Sequence, residues 1–393
     1  MFKEIFLLEV RQGLKKPSTY IFFSIFFLIY FLIGLAAAGV IPIATGDSNT
    51  YINSAIAVAS IIIGLNENIY GLINSIILVA VIASAIQKDY EYNMHPLLYT
   101  KPISKSGYYF GRFSGAFTIS IFVFSAQIIG YLIATLIGTG NSTVGPFHLM
   151  NFLEPFFLFT VPNTLLLGII FFALTTFTRS SMSAYLFCVI LLVLRSVTDS
   201  MTANIDNKTI AAILEPFGQQ AFQKIAEYWT PHEQNVLLIP VKDELLINRL
   251  LWLFIAIGIT IIGYLRFQFS QFLTPISFFK RKEVEELVPS ISAIHSLSEV
   301  PVAQKDFSIR SKWTQLLYLA GFEFKKMAKS NFFIIISALG VVAMFIIFRF
   351  LGAIYGTETY PVTYNILGTA ANLFHFFILI MIVFFSGTII WRD

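Results

Sequence analysis

Residue patterns that could support catalysis are scarce in this sequence. His232–Glu233 begins like the zinc-binding HExxH pattern, but Val236 stands where the second histidine ligand would have to lie. The single cysteine, Cys188, excludes a disulfide framework and a cysteine-ligated metal site. Neither GxSxG nor a set of serine, histidine and aspartate suited to nucleophilic catalysis is visible. The sequence therefore predicts no enzyme activity, no cofactor and no metal site within this chain.

Three polar side chains within or beside apolar segments are weaker candidates. His375 lies inside the last apolar segment, three residues after Asn372. Polar groups inside a membrane are candidates for function, but one hydrogen bond between packed helices is the simpler interpretation for His375. Glu67 and Glu154 stand at the ends of apolar segments, where they can reach water. Their roles, including contact with a substrate, stay open at this stage.

The composition places most of the chain in a lipid bilayer. Of 393 residues, 56% are hydrophobic, only 12% are charged, and 42 are phenylalanine. An ordinary globular core cannot bury so much apolar surface, whereas hydrocarbon can surround it. We therefore expect an all-α polytopic membrane protein, since helices satisfy their backbone hydrogen bonds internally.

The segment from Lys88 to Arg112 is the most informative polar stretch. It separates two long apolar segments and is longer than a simple turn requires. Charged residues alternate with apolar ones and are followed by Lys101–Pro102, which is typical of a short helix presented to a soluble partner.

The remaining elements follow from apolar runs and their flanks. The sequence of residues 1–17 predicts an interfacial amphipathic helix that ends at Pro17. A six-span unit is expected over 18–269, with an outer segment at 199–248 and a cytoplasmic linker at 270–313. Its spans are expected at about 19–38, 69–87, 113–138, 156–177, 182–197 and 249–267. The third span begins with a face of small residues suited to close helix packing: Gly107, Gly111 and Gly115.

Lysine and arginine predict the orientation. Twenty of the 26 cations fall on one predicted side, in the flanks and loops that include both termini. By the positive-inside rule this side is the cytoplasm. The same distribution explains the basic pI without a nucleic-acid partner.

The sequence from residue 314 onward resembles the N-terminal sequence of the chain. An offset of 314 residues places Glu9 on Glu323 and Lys15 on Lys329, and an offset of 304 places Asp89 on Asp393. Residues 314–393 are therefore interpreted as the amphipathic helix and first two spans of an incomplete second half.

These features together resemble the type-2 ABC transporter permeases. The closer resemblance is to the membrane part of bacterial proteins in which two permease halves are fused to a zinc aminopeptidase domain. The sequence strings that carry it are KPISKSGYYFGRF (101–113), EPFG (215–218), YWTPHEQNVLLIPV (228–241), NRLLW (248–252) and FFSGTIIWRD (384–393). The chain departs from that pattern in length, because the remaining spans and the peptidase domain are absent.

The resemblance implies a site and a partner. It implies that the segment after the second span docks on an ABC ATP-binding subunit, through Asp89, Glu91, Met94, Leu97, Leu98, Lys101, Pro102 and Ile103. The chain itself has no GxxxxGK[ST] phosphate-binding loop, so ATP would be used by the partner. The implied function is export across a bacterial inner membrane, with both termini cytoplasmic.

One alternative function and one question of assembly stay open. The spans could instead anchor an enzyme domain of a larger permease/aminopeptidase fusion. The pore could also be completed by a second copy of the chain or by another permease half.

Overall fold

The computed structural model describes residues 1–41, 50–67, 69–91, 103–202, 208–267, 308–350, 353–354, 357–358 and 362–390. These residues belong to two compact units, Met1–Pro275 and Ile276–Asp393. Helices dominate both units. The strands among the described residues have two residues each and form one hairpin in the second unit.

The first unit begins with an amphipathic helix and a long apolar one. Helix α1 is Phe2–Lys15 and helix α2 is Pro17–Ala37. Lys16 between them has extended backbone, which is the conformation favoured by a residue before proline. Helices α3 (Ala55–Glu67), α4 (Ile69–Ile82) and α5 (Ser84–Glu91) follow.

The longest helix of the first unit, α6, is Lys105–Ile137. The hydroxyl of Ser104 caps it by accepting a hydrogen bond from the Gly107 N–H at 3.3 Å. Its 33 residues rise about 50 Å, more than the hydrocarbon thickness of about 30 Å. The first turns of α6 can therefore extend beyond the hydrocarbon on one side.

The next helices lie on either side of a tight turn. Helix α7 (Met150–Pro155) continues through one π-helical turn, Phe156–Thr160, into α8 (Val161–Thr178). Arg179 then adopts left-handed backbone, and α9 runs over Ser181–Thr202. The π-turn lies between Pro155 and Pro162, which lack the N–H needed for regular α-helical bonding.

Short helices precede the last long helix of the first unit. They are α10 (Lys208–Leu214), α11 (Gln219–Ala226) and α12 (Pro231–Val236), and they are followed by α13 (Asp243–Arg266). The buried amide of Asn248 donates to the carbonyl oxygens of Ala212, Ile213 and Glu215, at 3.0, 3.0 and 2.6 Å. One side chain on α13 therefore holds the end of α10 in place.

Small residues allow α2 and α6 to pack closely. A Cβ added to Gly130 would lie 2.5 Å from the carbonyl oxygen of Phe27, and one added to Gly34 would lie 2.6 Å from the Cβ of Ala134. The two backbones are therefore closer than larger side chains would permit, as is common between helices in lipid.

Five helices among the described residues are long and apolar enough to cross a membrane, by length and composition. They are Pro17–Ala37, Gly71–Asp89, Lys105–Ile137, Met150–Thr178 and Asp243–Arg266. A sixth candidate is the pair Ile309–Ala328 and Phe332–Phe345, which is bent by 58°. The predicted fold class, an all-α polytopic membrane protein, is confirmed, whereas the number of spans and their limits stay predictions.

The second unit contains α14 (Ile309–Ala328), α15 (Asn331–Phe350) and α16 (Thr363–Ile390). Strands β1 (Ala353–Ile354) and β2 (Thr357–Glu358) form an antiparallel hairpin between α15 and α16. None of the α14 side chains is buried, and Phe332 of α15 packs edge-on against Phe385 of α16, with ring centroids 5.8 Å apart. An amphipathic helix followed by an apolar helix thus occurs in both units.

Candidate functional site

The structure describes the two ends of the predicted partner-binding segment. Asp89 lies in α5, Glu91 is its last residue, and half-buried Ile103 comes just before the cap of α6. The side chain of Glu91 lies outside the described part of the chain, as do five whole residues predicted to touch the partner: Met94, Leu97, Leu98, Lys101 and Pro102.

A cluster of charged side chains joins these two ends to α1, and we call it the ionic cluster. Its members are Glu9 of α1, Lys88 and Asp89 of α5, and Tyr108 and Arg112 of α6. Arg112 Nη2 donates to both carboxylate oxygens of Asp89, at 2.8 and 2.6 Å, while its Nη1 donates to Glu9. Lys88 Nζ donates to both oxygens of Glu9 at 2.7 and 2.8 Å, and the Tyr108 hydroxyl donates to Asp89 at 2.6 Å.

The ionic cluster is buried and electrically balanced. Glu9, Asp89 and Arg112 are 5%, 7% and 5% exposed, and the two carboxylates are matched by the two cations Lys88 and Arg112. An isolated charge would be very costly at such burial, so each charge depends on its neighbours. Within the described residues, the Arg112 Nε is the one cluster atom that is buried without a hydrogen-bond partner.

Glycines on α6 bring α1 close enough to form the ionic cluster. A Cβ added to Gly115 would lie 2.5 Å from the Cβ of Glu9, and one added to Gly111 would lie 3.0 Å from the Cβ of Ile5. Gly107 lies near the Phe2 backbone nitrogen, which would be 3.5 Å from such an atom. The small-residue face named from the sequence thus lies against the amphipathic helix at these positions.

Aromatic side chains link the ionic cluster to the end of α13. The Tyr108 ring stacks on Phe267 with centroids 5.8 Å apart and an interplanar angle of 5°. Arg112 lies 5.5 Å from the centroid of the same Tyr108 ring. One turn earlier on α6, Lys105 Nζ lies 4.6 Å from the centroid of Tyr264. Both sets of contacts hold the α13 end beside α6.

This arrangement connects the segment 92–102 to three helices. The segment leaves α5 directly after Glu91 and returns to the described chain at Ile103. The contact between Arg112 and Asp89 joins α6 to α5, the helices on either side of the segment, and the same guanidinium holds Glu9. The ionic cluster therefore holds α1, α5 and α6 together.

Sequence reasoning did not predict Glu9, Lys88, Tyr108 or Arg112 as site residues. A signal for Glu9 was present, because it lies one helical turn from Ile5 and Gly13 on α1 and so shares their face. A carboxylate on the packed face of a helix is costly to bury unless a cation or hydrogen bonds compensate its charge. The sequence could not identify that cation as Arg112, 103 residues away.

The His232–Glu233 pair has a local structural role in α12. Glu233 accepts hydrogen bonds from the backbone N–H and the hydroxyl of Thr230, both at 2.8 Å, and completes a capping box. These bonds, led by the backbone N–H, lower the pKa of the exposed Glu233 carboxyl. Among the described residues, no group of three potential metal ligands lies close enough to hold an ion.

The other polar candidates also make local contacts. Glu154 accepts a hydrogen bond from the backbone N–H of Ile239 at 3.0 Å, which fastens the segment before α13 to α7. His375 Nδ1 lies 2.7 Å from the Ala371 carbonyl of its own helix, so this bond is within one helix and does not join two. The side chain of Glu67 lies outside the described part of the chain.

Comparison with known proteins identifies a family. A family model described as "ABC-2 family transporter protein" matches residues 4–322. No curated protein matches, and no solved structure matches. The matched range contains all members of the ionic cluster and the segment 92–102.

Proposed function

The chain belongs to the ABC-2 family of transporter proteins, and on this premise we propose that it is the permease of an exporter powered by a separate ATP-binding subunit. The subunit docks on residues 89–103, where Met94, Leu97 and Leu98 supply apolar anchors and the charged residues set the register. Closure of the ATP-binding subunit on ATP pushes this segment, and packed helices carry the movement across the membrane.

The observation that supports this proposal most is the ionic cluster. A docking segment can transmit a push only if its ends cannot swing independently of the spans. Arg112 joins α6 to α5 through Asp89, and these are the helices that flank the segment; it also binds Glu9 of the interfacial helix. Since these charges are nearly excluded from water, separating them is costly. The ionic cluster therefore gives the segment a rigid base.

In the proposal, a separate ATP-binding subunit supplies the energy for transport. The sequence contains no GxxxxGK[ST] loop that could hold nucleotide phosphates. Family membership supports an ATP-binding subunit in that role. The cation distribution supports a cytoplasmic position for residues 88–112, where ATP is available. The resemblance to bacterial permeases supports an inner membrane as the location.

The second unit supports a two-half permease. Glu323 corresponds to Glu9 at the offset of 314, and at the offset of 304 Arg392 and Asp393 correspond to Lys88 and Asp89. The charge types at three of the cluster positions are thus repeated in the sequence. In the proposal, a second copy or another permease half completes the pore.

Co-purification with the ATP-binding subunit encoded in an adjacent reading frame tests the proposal. The permease carries an affinity tag, and retention of the ATPase and its stimulated ATP hydrolysis are measured in lipid nanodiscs. The double variant Leu97→Asp/Leu98→Asp is expected to lose both, because buried apolar anchors become charged.

Leu237 and Leu238 provide the matched control. They are adjacent, exposed leucines on the predicted outer side, 46% and 42% exposed. Leu237→Asp/Leu238→Asp is expected to retain the ATPase and its stimulation. Retention by Leu97→Asp/Leu98→Asp would refute the docking site. Failure of the wild-type chain to bind any such ATPase, together with a downstream HExxH domain in the same reading frame, would instead favour the membrane-anchor alternative.

A further inference from the structure

A cavity lies inside the first unit, between α4, α6, α8 and α9. The centre of a water-sized sphere can reach about 70 Å³ of this space, which is several times the volume that one water molecule needs. Polar side chains line it, including Asn74, Ser75, Gln127 and Thr160. Apolar ones, including Leu78 and Phe124, form the rest of the wall.

Two buried polar atoms in this cavity have no partner among the described residues. They are the Oε1 of Gln127, a residue 1% exposed, and the Oγ1 of Thr160, a residue 6% exposed. Buried polar atoms are nearly always hydrogen-bonded, because leaving them unpaired is costly. Two such atoms lining one cavity indicate that something in the cavity supplies the missing bonds.

The π-turn explains why the Thr160 hydroxyl is free. Three threonines further along α8, Thr175, Thr176 and Thr178, each donate a hydroxyl hydrogen bond to the carbonyl four residues earlier. At the π-turn the Val161 N–H instead bonds to the Phe156 carbonyl, five residues back. The turn therefore departs from the geometry in which its threonine would bond to its own helix. Such π-turns occur frequently at functional sites.

Asn163, another polar residue of the cavity wall, already forms hydrogen bonds within the protein through both its amide oxygen and its amide nitrogen. The Oδ1 of Asn163 accepts from Arg249 Nη1 at 2.9 Å, and its Nδ2 donates to the Phe217 carbonyl at 3.1 Å. The described lining contains no charged side chain. A charged ligand would therefore lose its hydration without gaining a counter-ion.

We propose that this cavity binds an uncharged amphiphile. Hydroxyl or amide groups on its head donate hydrogen bonds to Gln127 Oε1 and Thr160 Oγ1, and its apolar part lies against Leu78 and Phe124. The proposal concerns binding by this chain alone. It goes beyond the transport function and depends on neither the ATP-binding subunit nor the direction of transport.

Cys188 provides a reporter, because it lines the same cavity and is the only cysteine in the sequence. The purified full chain in nanodiscs is reacted with N-ethylmaleimide, and the rate of labelling is followed by mass spectrometry. The probe is 1-monooctanoylglycerol, and octanoate and octyltrimethylammonium are its charged counterparts. The uncharged probe is expected to slow labelling, and the charged ones to leave the rate unchanged.

Two variants test the proposed contacts. Gln127→Leu and Thr160→Val are each expected to raise the half-protecting concentration of monooctanoylglycerol about tenfold, the effect of losing one hydrogen bond. Thr176→Val is the matched control, because its hydroxyl bonds within α8, and it should protect like the wild type. Ser75→Cys in a Cys188→Ala background repeats the assay from another wall of the cavity.

Three results would overturn the proposal. Absence of protection at both reporter cysteines would mean that the cavity holds water only. Equal protection by all three probes would show that no uncharged head is selected. Unchanged half-protecting concentrations in folded, monodisperse Gln127→Leu and Thr160→Val would exclude these two atoms as the contacts.

Discussion

Arg112 binds both carboxylate oxygens of Asp89, 23 positions earlier in the chain, and thereby holds together α5 and α6, the helices on either side of the segment 92–102. The same guanidinium binds Glu9 on the interfacial helix. One side chain thus connects the proposed docking segment with the helices that must respond to it.

Neutralising Arg112 should destabilise the protein strongly. Arg112→Gln leaves two buried carboxylates with one cation, and we expect a loss of about 3–5 kcal/mol in the free energy of unfolding. Thermal unfolding in detergent measures the change. The double variant Arg112→Gln/Asp89→Asn should lose less than the sum of the two single variants, because the uncompensated charge is removed. Arg11→Gln, at an exposed position of α1, is the control, and a wild-type melting curve for Arg112→Gln would refute the energetic role of the cluster.

A side chain at Gly115 should displace α1. Its Cβ would lie 2.5 Å from the Cβ of Glu9, and overpacking of this kind costs about 1–3 kcal/mol. We expect Gly115→Leu to increase the rate at which trypsin cleaves after Arg11. Gly258→Leu is a matched control, since a Cβ there would meet no atom within 4 Å. Equal cleavage rates in both variants would show that α1 is not held through this contact.

Asn248 should stabilise the contact between α13 and the end of α10. Asn248→Leu would leave three carbonyl oxygens without their shared donor, and we expect a cost of about 1–3 kcal/mol. Thermal unfolding measures it. Ile247→Ala changes the neighbouring residue, which is 50% exposed, and should cost much less. If the two variants unfold alike, the amide does not stabilise the end of α10.

Single cysteines should report opposite sides of the membrane. In a Cys188→Ala background, His95→Cys is expected to be protected from a membrane-impermeant maleimide in intact cells. Val236→Cys, at a position that is 62% exposed, should be labelled rapidly. Permeabilised cells should label both positions. Rapid external labelling at position 95 would place the segment 92–102 outside the cell and remove the basis for docking to an ATPase.

Much of the fold could be predicted from the sequence, because a helix that crosses lipid needs a long run of apolar residues. Long apolar runs predicted the polytopic fold, and the family resemblance was confirmed over residues 4–322. Helix α1 ends at Lys15 and α2 begins at Pro17, since proline supplies no N–H to continue the preceding helix. The limits of the domains, the residues of the docking segment and the kinship to aminopeptidase fusions stay predictions.

The tertiary structure decided which distant residues meet. Periodicity indicates the face on which Glu9 lies, but it contains no information about a cation 103 residues away. The Thr160 hydroxyl, which has no partner among the described residues, lies in a π-turn, and a local pattern of apolar residues does not distinguish that turn from regular helix. The sequence by itself thus determined a chain of membrane helices, and it predicted a polar segment suited to docking. Packing alone determined that buried charges join the helices on either side of this segment. It also determined that one cavity contains two polar atoms without a partner among the described residues, because both features depend on contacts between separate helices.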